Sequence, residues 1–372
     1  MSAYIRYFGY FVYLFILWIY ARRNPRQVTV KERIGDRTVT RYNWIFALVA
    51  MLPLIILAGS RDFGFGDTGL YRQFFREAPA SLSQIPSYIA TVSKDKGFYF
   101  FSAIIKCLIS SNERVYFYII AAFQGFAVIY LLRKYSNNML ISLFIFAAGN
   151  DFLSYMENGI RQFVAVCIIL LASSFIFERK YIRAVIVILI ASLFHQSALL
   201  MLPIIFIVQG QPWNKSTTFL LFASLMAVAF VAQFTGILDS MLEETQYSSI
   251  INTWTGWNDT GTSPVRVAVF CVPAMLSLVG LNYIREENNP VINVCTNMSV
   301  LSAGLYIVSM ATSGIYMGRL PIYVNVYSTC ILLPWEITHI FSKNSSSFMM
   351  RAMIISFLLF YYYQIHFAWN AF

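Results

Sequence analysis

The chain has 372 residues, of which 58% are hydrophobic and only 12% charged, with a mean hydropathy of +0.63. Soluble domains carry about 25% charged residues, so an ordinary soluble globule is excluded. The net charge of +10 points to basic cytoplasmic loops rather than to nucleic acid, because apolar runs of spanning length recur along nearly the whole sequence.

These runs predict an all-α, polytopic transmembrane helix bundle: a single integral membrane domain over 1–372, with about 12 spans and one re-entrant or interfacial segment. The run 4–21 lacks a small-residue cleavage site and is followed by cations, so it reads as a retained first span. Residues 22–42 hold Arg22, Arg23, Arg26, Lys31, Arg33, Arg37 and Arg41 against Glu32 and Asp36, which makes them a cytoplasmic loop. The run 43–59 returns to the outer side and leads into an outer loop, 60–97, whose PASLSQIPSY stretch reads as irregular from its prolines and serines. Residues 98–109 are apolar but too few to span.

Runs 115–132, 139–155 and 162–177 then alternate direction, which puts Arg133, Lys134, Arg179, Lys180 and Arg183 inside. The stretch 181–209 is broken by His195-Gln196-Ser197 and reads as a tight helical hairpin with His195 near its outer tip, or as one tilted helix. Run 216–236 leads to a second outer loop, 237–262, which has Asp239, Glu243, Glu244 and Asp259 and no Lys or Arg. Runs 265–284, 291–313, 320–340 and 353–369 complete the set.

In this topology four polar groups fall on the outer side: Arg61, Asp62, Asp67, Tyr71 and Arg72; Glu157, Asn158, Arg161 and Gln162; His195 and Ser197 with Gln196 between them; and Arg319. An arginine at the bilayer edge costs a few kcal/mol, so Arg61, Arg161 and Arg319 together at one face imply an anionic partner. Phosphate suits the planar guanidinium fork. Local pairing is the alternative: Arg61 with Asp62 or Asp67, and Arg161 with Glu157 one helical turn earlier. His195 is either a packing residue or a general base, with Asp67 and Glu157 as rival bases. Trp254 and Trp257 offer flat faces for a sugar, or belong to an interfacial aromatic belt. His339 and His366 lie apart from His195, the five cysteines show no CxxC spacing, and no Walker loop or HExxH is present. The sequence therefore calls for no cofactor and no metal.

The motifs SRDFGFGDTGLYRQF, ENGIRQFVAV, SLFHQSALLMLP and GRLPIY, in this order, make the chain resemble the EpsG family of bacterial exopolysaccharide and capsule proteins, which are Wzy-like polymerases. The resemblance implies a GT-C-like membrane fold and a multi-pass location in the bacterial plasma membrane. It further implies a glycosyltransferase that polymerises undecaprenyl-pyrophosphate-linked oligosaccharides at the outer face. Its partners would be the lipid-linked donor and acceptor, the bilayer, and other polysaccharide export or chain-length proteins. His195, Asp67, Arg161 and Arg319 would then be catalytic, with Arg61, Asp62, Tyr71, Arg72, Glu157, Asn158, Gln162, Ser197, Trp254 and Trp257 in the substrate site. A glycan ligase of the same chemistry and a non-enzymatic flippase of lipid-linked oligosaccharide are the competing expectations.

Overall fold

The computed structural model describes residues 3–31, 34, 38–230 and 261–368. Arg33, Arg37, Trp254, Trp257 and nearly all of the 237–262 loop lie outside the described residues. The described chain is helical apart from one small hairpin, and it divides into two compact units: Met1–Ile205 with Arg351–Phe372, and Phe206–Met350. Among the described residues three helices, Glu113–Tyr135, Pro290–Ala311 and Lys343–Phe367, are long and apolar enough to cross a membrane. Two bent pairs raise the number to as many as five: Met139–Ala148 with Asp151–Glu157 at 72°, and Pro264–Val279 with Leu281–Glu287 at 71°.

The first unit opens with α1 (Ala3–Arg23), the antiparallel strands β1 (Gln27–Lys31) and β2 (Thr38–Tyr42), and α2 (Trp44–Gly59). The hairpin occupies the basic loop, which hydropathy alone left without structure. Asn43 caps α2 by accepting a hydrogen bond from the Phe46 amide at 2.8 Å. Next come α3 (Thr68–Glu77), α4 (Ile85–Thr91), α5 (Lys96–Leu108) and α6 (Glu113–Tyr135). The stretch expected to be irregular around Pro86 is in fact helical from Leu82 onward, because proline stands in the first turn of α4, where its missing N–H costs nothing. The 13 residues of α5 reach only about 20 Å, well short of a hydrocarbon core about 30 Å thick.

Helix α6 forms the centre of this unit. Its neighbour α2 turns Leu54 and the alanines Ala47, Ala50 and Ala58 inward, and small residues such as alanine let helix backbones approach closely in lipid. Gly125 of α6 lies against Ile55, and Gly59 of α2 against Tyr118, so close that an added Cβ would fall 2.5 and 2.3 Å from those side chains. Further on are α7 (Met139–Ala148), α8 (Asp151–Glu157), α9 (Ile160–Leu171), α10 (Ser173–Phe177) and α11 (Tyr181–Phe194). The end of α1, the hairpin, the start of α2, the end of α6 and the start of α7 meet at one pole. The opposite pole gathers the end of α2, the junction of α8 and α9, and the start of α6.

The second unit is built around the helix Pro290–Ala311, which is buried on nearly every face and packs on Lys215–Ala229, Pro264–Val279 and the π-helical segment Val326–Leu332. Its Asn297 pins the preceding loop: Nδ2 donates to the carbonyls of Val208 and Gln211, each at 3.0 Å, and Oδ1 accepts from Thr217 Oγ1 at 3.3 Å. Asn297→Leu should leave both carbonyls unsatisfied and lower stability by about 2–4 kcal/mol. Thermal unfolding of the purified protein in detergent measures this, and an unchanged midpoint would remove Asn297 from the framework.

Candidate active site

The segment 157–162 breaks between two helices: α8 ends at Glu157 and α9 begins at Ile160. The break sends its polar side chains to different partners. Glu157 Oε1 accepts a hydrogen bond from Tyr7 at 2.6 Å inside the unit. Asn158 reaches the first motif, where its Oδ1 accepts from the Asp67 amide at 3.3 Å and its carbonyl accepts from the Tyr71 hydroxyl at 3.3 Å. Arg161 Nη1 donates to Asp95 Oδ2 at 2.7 Å. Gln162 Nε2 donates to Ser197 Oγ at 3.4 Å, and Ser197 Oγ shares a 2.7 Å hydrogen bond with His195 Nδ1.

Asp95 also takes a hydrogen bond from the Gln196 backbone, so the carboxylate links Arg161 to the chain beside His195. Burial pushes this carboxyl above the ordinary aspartate range, with Arg161 and Lys94 opposing. Tyr71 and Tyr99 stand close enough to Arg161 to interact electrostatically, and burial raises both phenols. His195 itself is the stop of α11, since its extended backbone, φ −157° and ψ 122°, cannot continue the helix. Gly97 permits this crowding, because a Cβ there would sit 2.8 Å from Leu193 Cβ.

Both local pairings anticipated from sequence fail. Arg161 does not pair with Glu157, because the four-residue rule needs one continuous helix and the chain breaks at Asn158 and Gly159. Arg61 bonds neither Asp62 nor Asp67. It is 3% exposed and donates to the carbonyls of Ala58 at 2.6 Å, Met156 at 3.1 Å and Glu157 at 2.8 Å. Burial pulls this guanidinium down from the ordinary arginine value, opposed chiefly by the Glu157 carboxylate. Asp62 instead accepts from the Gly64 amide at 2.8 Å and closes a turn.

Arg72 lies over the Phe63 ring, 3.8 Å from its centroid, and pairs with Glu113 at 2.5 Å; Arg76 contacts the same carboxylate. Arg114 covers Phe63 as well, at 4.0 Å, and donates to the Arg61 carbonyl at 2.5 Å. Thus Arg61, Asp67, Tyr71, Arg72, Asn158, Arg161, Gln162, His195 and Ser197 all belong to the first unit, where hydrogen bonds link Asn158 to Asp67 and Tyr71, and Gln162 to Ser197 and His195. Arg319 is exposed and belongs to the second unit, in a short turn after Gly318. Asp95, Tyr99 and Glu113 are the members that sequence reasoning missed. The available signal was the Asp-Lys-Gly triplet, turn residues directly before an apolar helix.

The junction depends on Gly66, whose φ is +49° and whose added Cβ would fall 1.8 Å from Asn158 Oδ1. Gly66→Ala should cost about 1–3 kcal/mol from the backbone conformation alone. Adding Asn158→Gly should recover only the part due to the clash. Unfolding midpoints of the single and double variants test this, and equal midpoints for Gly66→Ala and the unsubstituted protein would contradict it.

A model of the EpsG family matches residues 44–371, nearly the whole chain. Neither a curated protein nor a solved structure matches it.

Proposed function

The chain belongs to the EpsG family, the Wzy-like polysaccharide polymerases, and we propose that it joins undecaprenyl-pyrophosphate-linked oligosaccharide repeat units by inverting glycosyl transfer. In this reading the site faces the outer side of the bacterial plasma membrane, within a GT-C-like bundle of about 12 spans. The basic hairpin end of the first unit supports that sidedness, since Arg22, Arg26, Arg41 and Arg133 gather at the pole opposite Arg161.

The observation that carries the proposal is the Arg161–Asp95 pair, set beside Tyr71 and Tyr99 and next to the Gln162–Ser197–His195 chain. A guanidinium held by one carboxylate is suited to exchange that partner for a diphosphate, which offers more negative charge and a matching fork of oxygens. Beside it stands a histidine whose Nδ1 is fixed by a serine hydroxyl, so the ring is oriented for proton transfer.

In the proposed step, a hydroxyl at the non-reducing end of one lipid-linked repeat attacks the anomeric carbon of the donor chain. The new C–O bond forms as the bond to pyrophosphate breaks, and undecaprenyl pyrophosphate leaves with the electron pair. His195 takes the hydroxyl proton, with Asp67 as the second candidate base. Arg161 offsets charge on the departing diphosphate, and the single displacement inverts the anomeric centre. Arg61 braces the pole through its three carbonyls, while Arg72 and Arg114 keep Phe63 and the first motif in place.

Purified protein given one lipid-linked repeat unit should yield long glycan ladders; unchanged substrate would overturn the polymerase reading. Arg161→Ala should reduce chain growth by about 100-fold or more. Arg319→Ala is expected to do the same, and near-normal ladders from either variant would remove that arginine from the mechanism. His195→Ala should lower turnover by about 100-fold or more with little change in substrate affinity, whereas the reverse pattern would make His195 a positioning residue.

The pH dependence follows from Asp95. Its carboxylate must be ionised to hold Arg161, and burial raises its pKa, so as pH falls it takes up a proton earlier than an ordinary aspartate. Because a diphosphate must displace that carboxylate, substrate affinity should strengthen as Asp95 is protonated, and Asp95→Asn should remove this component of the pH dependence of KM. An unchanged profile in Asp95→Asn would show that Asp95 does not control it.

A further inference from the structure

At the pole of the first unit away from Arg161 lies a cavity of about 310 Å³. The end of α1, the β1–β2 hairpin and the turn between α6 and α7 form its wall, and three arginines, Arg22, Arg41 and Arg133, line it. No carboxylate is in this wall among the described residues. The arginines are anchored: Arg22 lies 3.9 Å over the Trp18 ring, Arg41 donates to the Ser136 carbonyl, and Arg133 Nε donates to the Tyr42 carbonyl at 2.7 Å.

The tendency of cytoplasmic loops to be basic explains the presence of these charges but not their convergence. Arg41 and Arg133 stand close enough to repel each other, and spreading the cations over the hairpin surface would relieve that repulsion. Helix α7 begins at Met139 on the same wall, capped by Asn138, and the positive end of its dipole adds to the field.

We propose that this cavity is a second, separate binding site, for a phosphate-bearing anion. Its volume is at the lower end of the range for small-ligand pockets, about 300–1,000 Å³, which leaves room for a phosphate with a short organic tail. Helix α1, which contributes Trp18 and Arg22, exposes Phe15, Ile16 and Ile19 close to them in the chain, a surface suited to lipid. The headgroup of an anionic phospholipid is therefore the favoured source, and free inorganic phosphate has the same recognition chemistry.

Full-length protein in neutral detergent, titrated with phosphatidylglycerol or phosphatidylcholine and followed by native mass spectrometry, tests the lipid source. Thermal unfolding in inorganic phosphate tests the free anion. Phosphatidylglycerol should bind more tightly than phosphatidylcholine, and Arg22→Gln and Arg133→Gln should each weaken that binding by roughly tenfold. Arg161→Ala should leave it unchanged. Protection by inorganic phosphate that is lost in the same two variants, without discrimination between the lipids, would assign the site to the free anion. If neither probe responds to Arg22→Gln or Arg133→Gln, the proposal fails. Arg22 is exposed, so Arg22→Gln keeps the test valid should Arg133→Gln disturb the hairpin.

Discussion

A guanidinium partly withdrawn from water needs a partner in nearly fixed geometry, and Arg161 finds it in Asp95, 66 residues earlier in the chain. That requirement ties α9 to the start of α5, and through the Gln196 backbone to the stop of α11. The helix break at residues 158–159 makes the arrangement possible, because it frees Glu157, Asn158, Arg161 and Gln162 to point to four different neighbours. A continuous helix through this segment would have stacked Glu157 on Arg161 and left the first motif and His195 unconnected.

The two poles of the first unit treat their cations in opposite ways. At the Arg161 pole each arginine meets a carboxylate, a carbonyl or an aromatic face: Asp95 and Glu113 serve Arg161 and Arg72, three carbonyls serve Arg61, and Phe63 is flanked by Arg72 and Arg114. At the hairpin pole carbonyls and rings hold Arg22, Arg41 and Arg133 around an open volume. Lysine would serve less well at both, since only the planar, weakly hydrated guanidinium stacks on rings while keeping several donors in the plane.

Much of this was legible in the sequence, and the limits have physical causes. Hydropathy marked the apolar helices because lipid forces every spanning backbone to satisfy its own hydrogen bonds. The polar motifs around Arg61, Asn158 and His195 stood out against that background, and in the first unit they do converge. Asp95 did not stand out: between Lys94 and Lys96 it read as one more solvated loop residue, and its partner is distant in sequence. Arg61 was legible as costly but not as buried, because its acceptors are backbone carbonyls, which leave no mark on the sequence. The Pro86 stretch was misread because proline's effect depends on whether it falls in the first turn of a helix or further in.

The Arg161–Asp95 contact also bears on how a charged lipid would enter. With a counterion already seated, the cation is never bare in a poorly hydrated setting, and arrival of a diphosphate is an exchange of one anion for another. The dehydration of the guanidinium is met once, when the polypeptide folds, and need not recur at each encounter. What does recur is displacement of a carboxylate, so occupancy would answer to the ligand's charge state more than to its apolar tail.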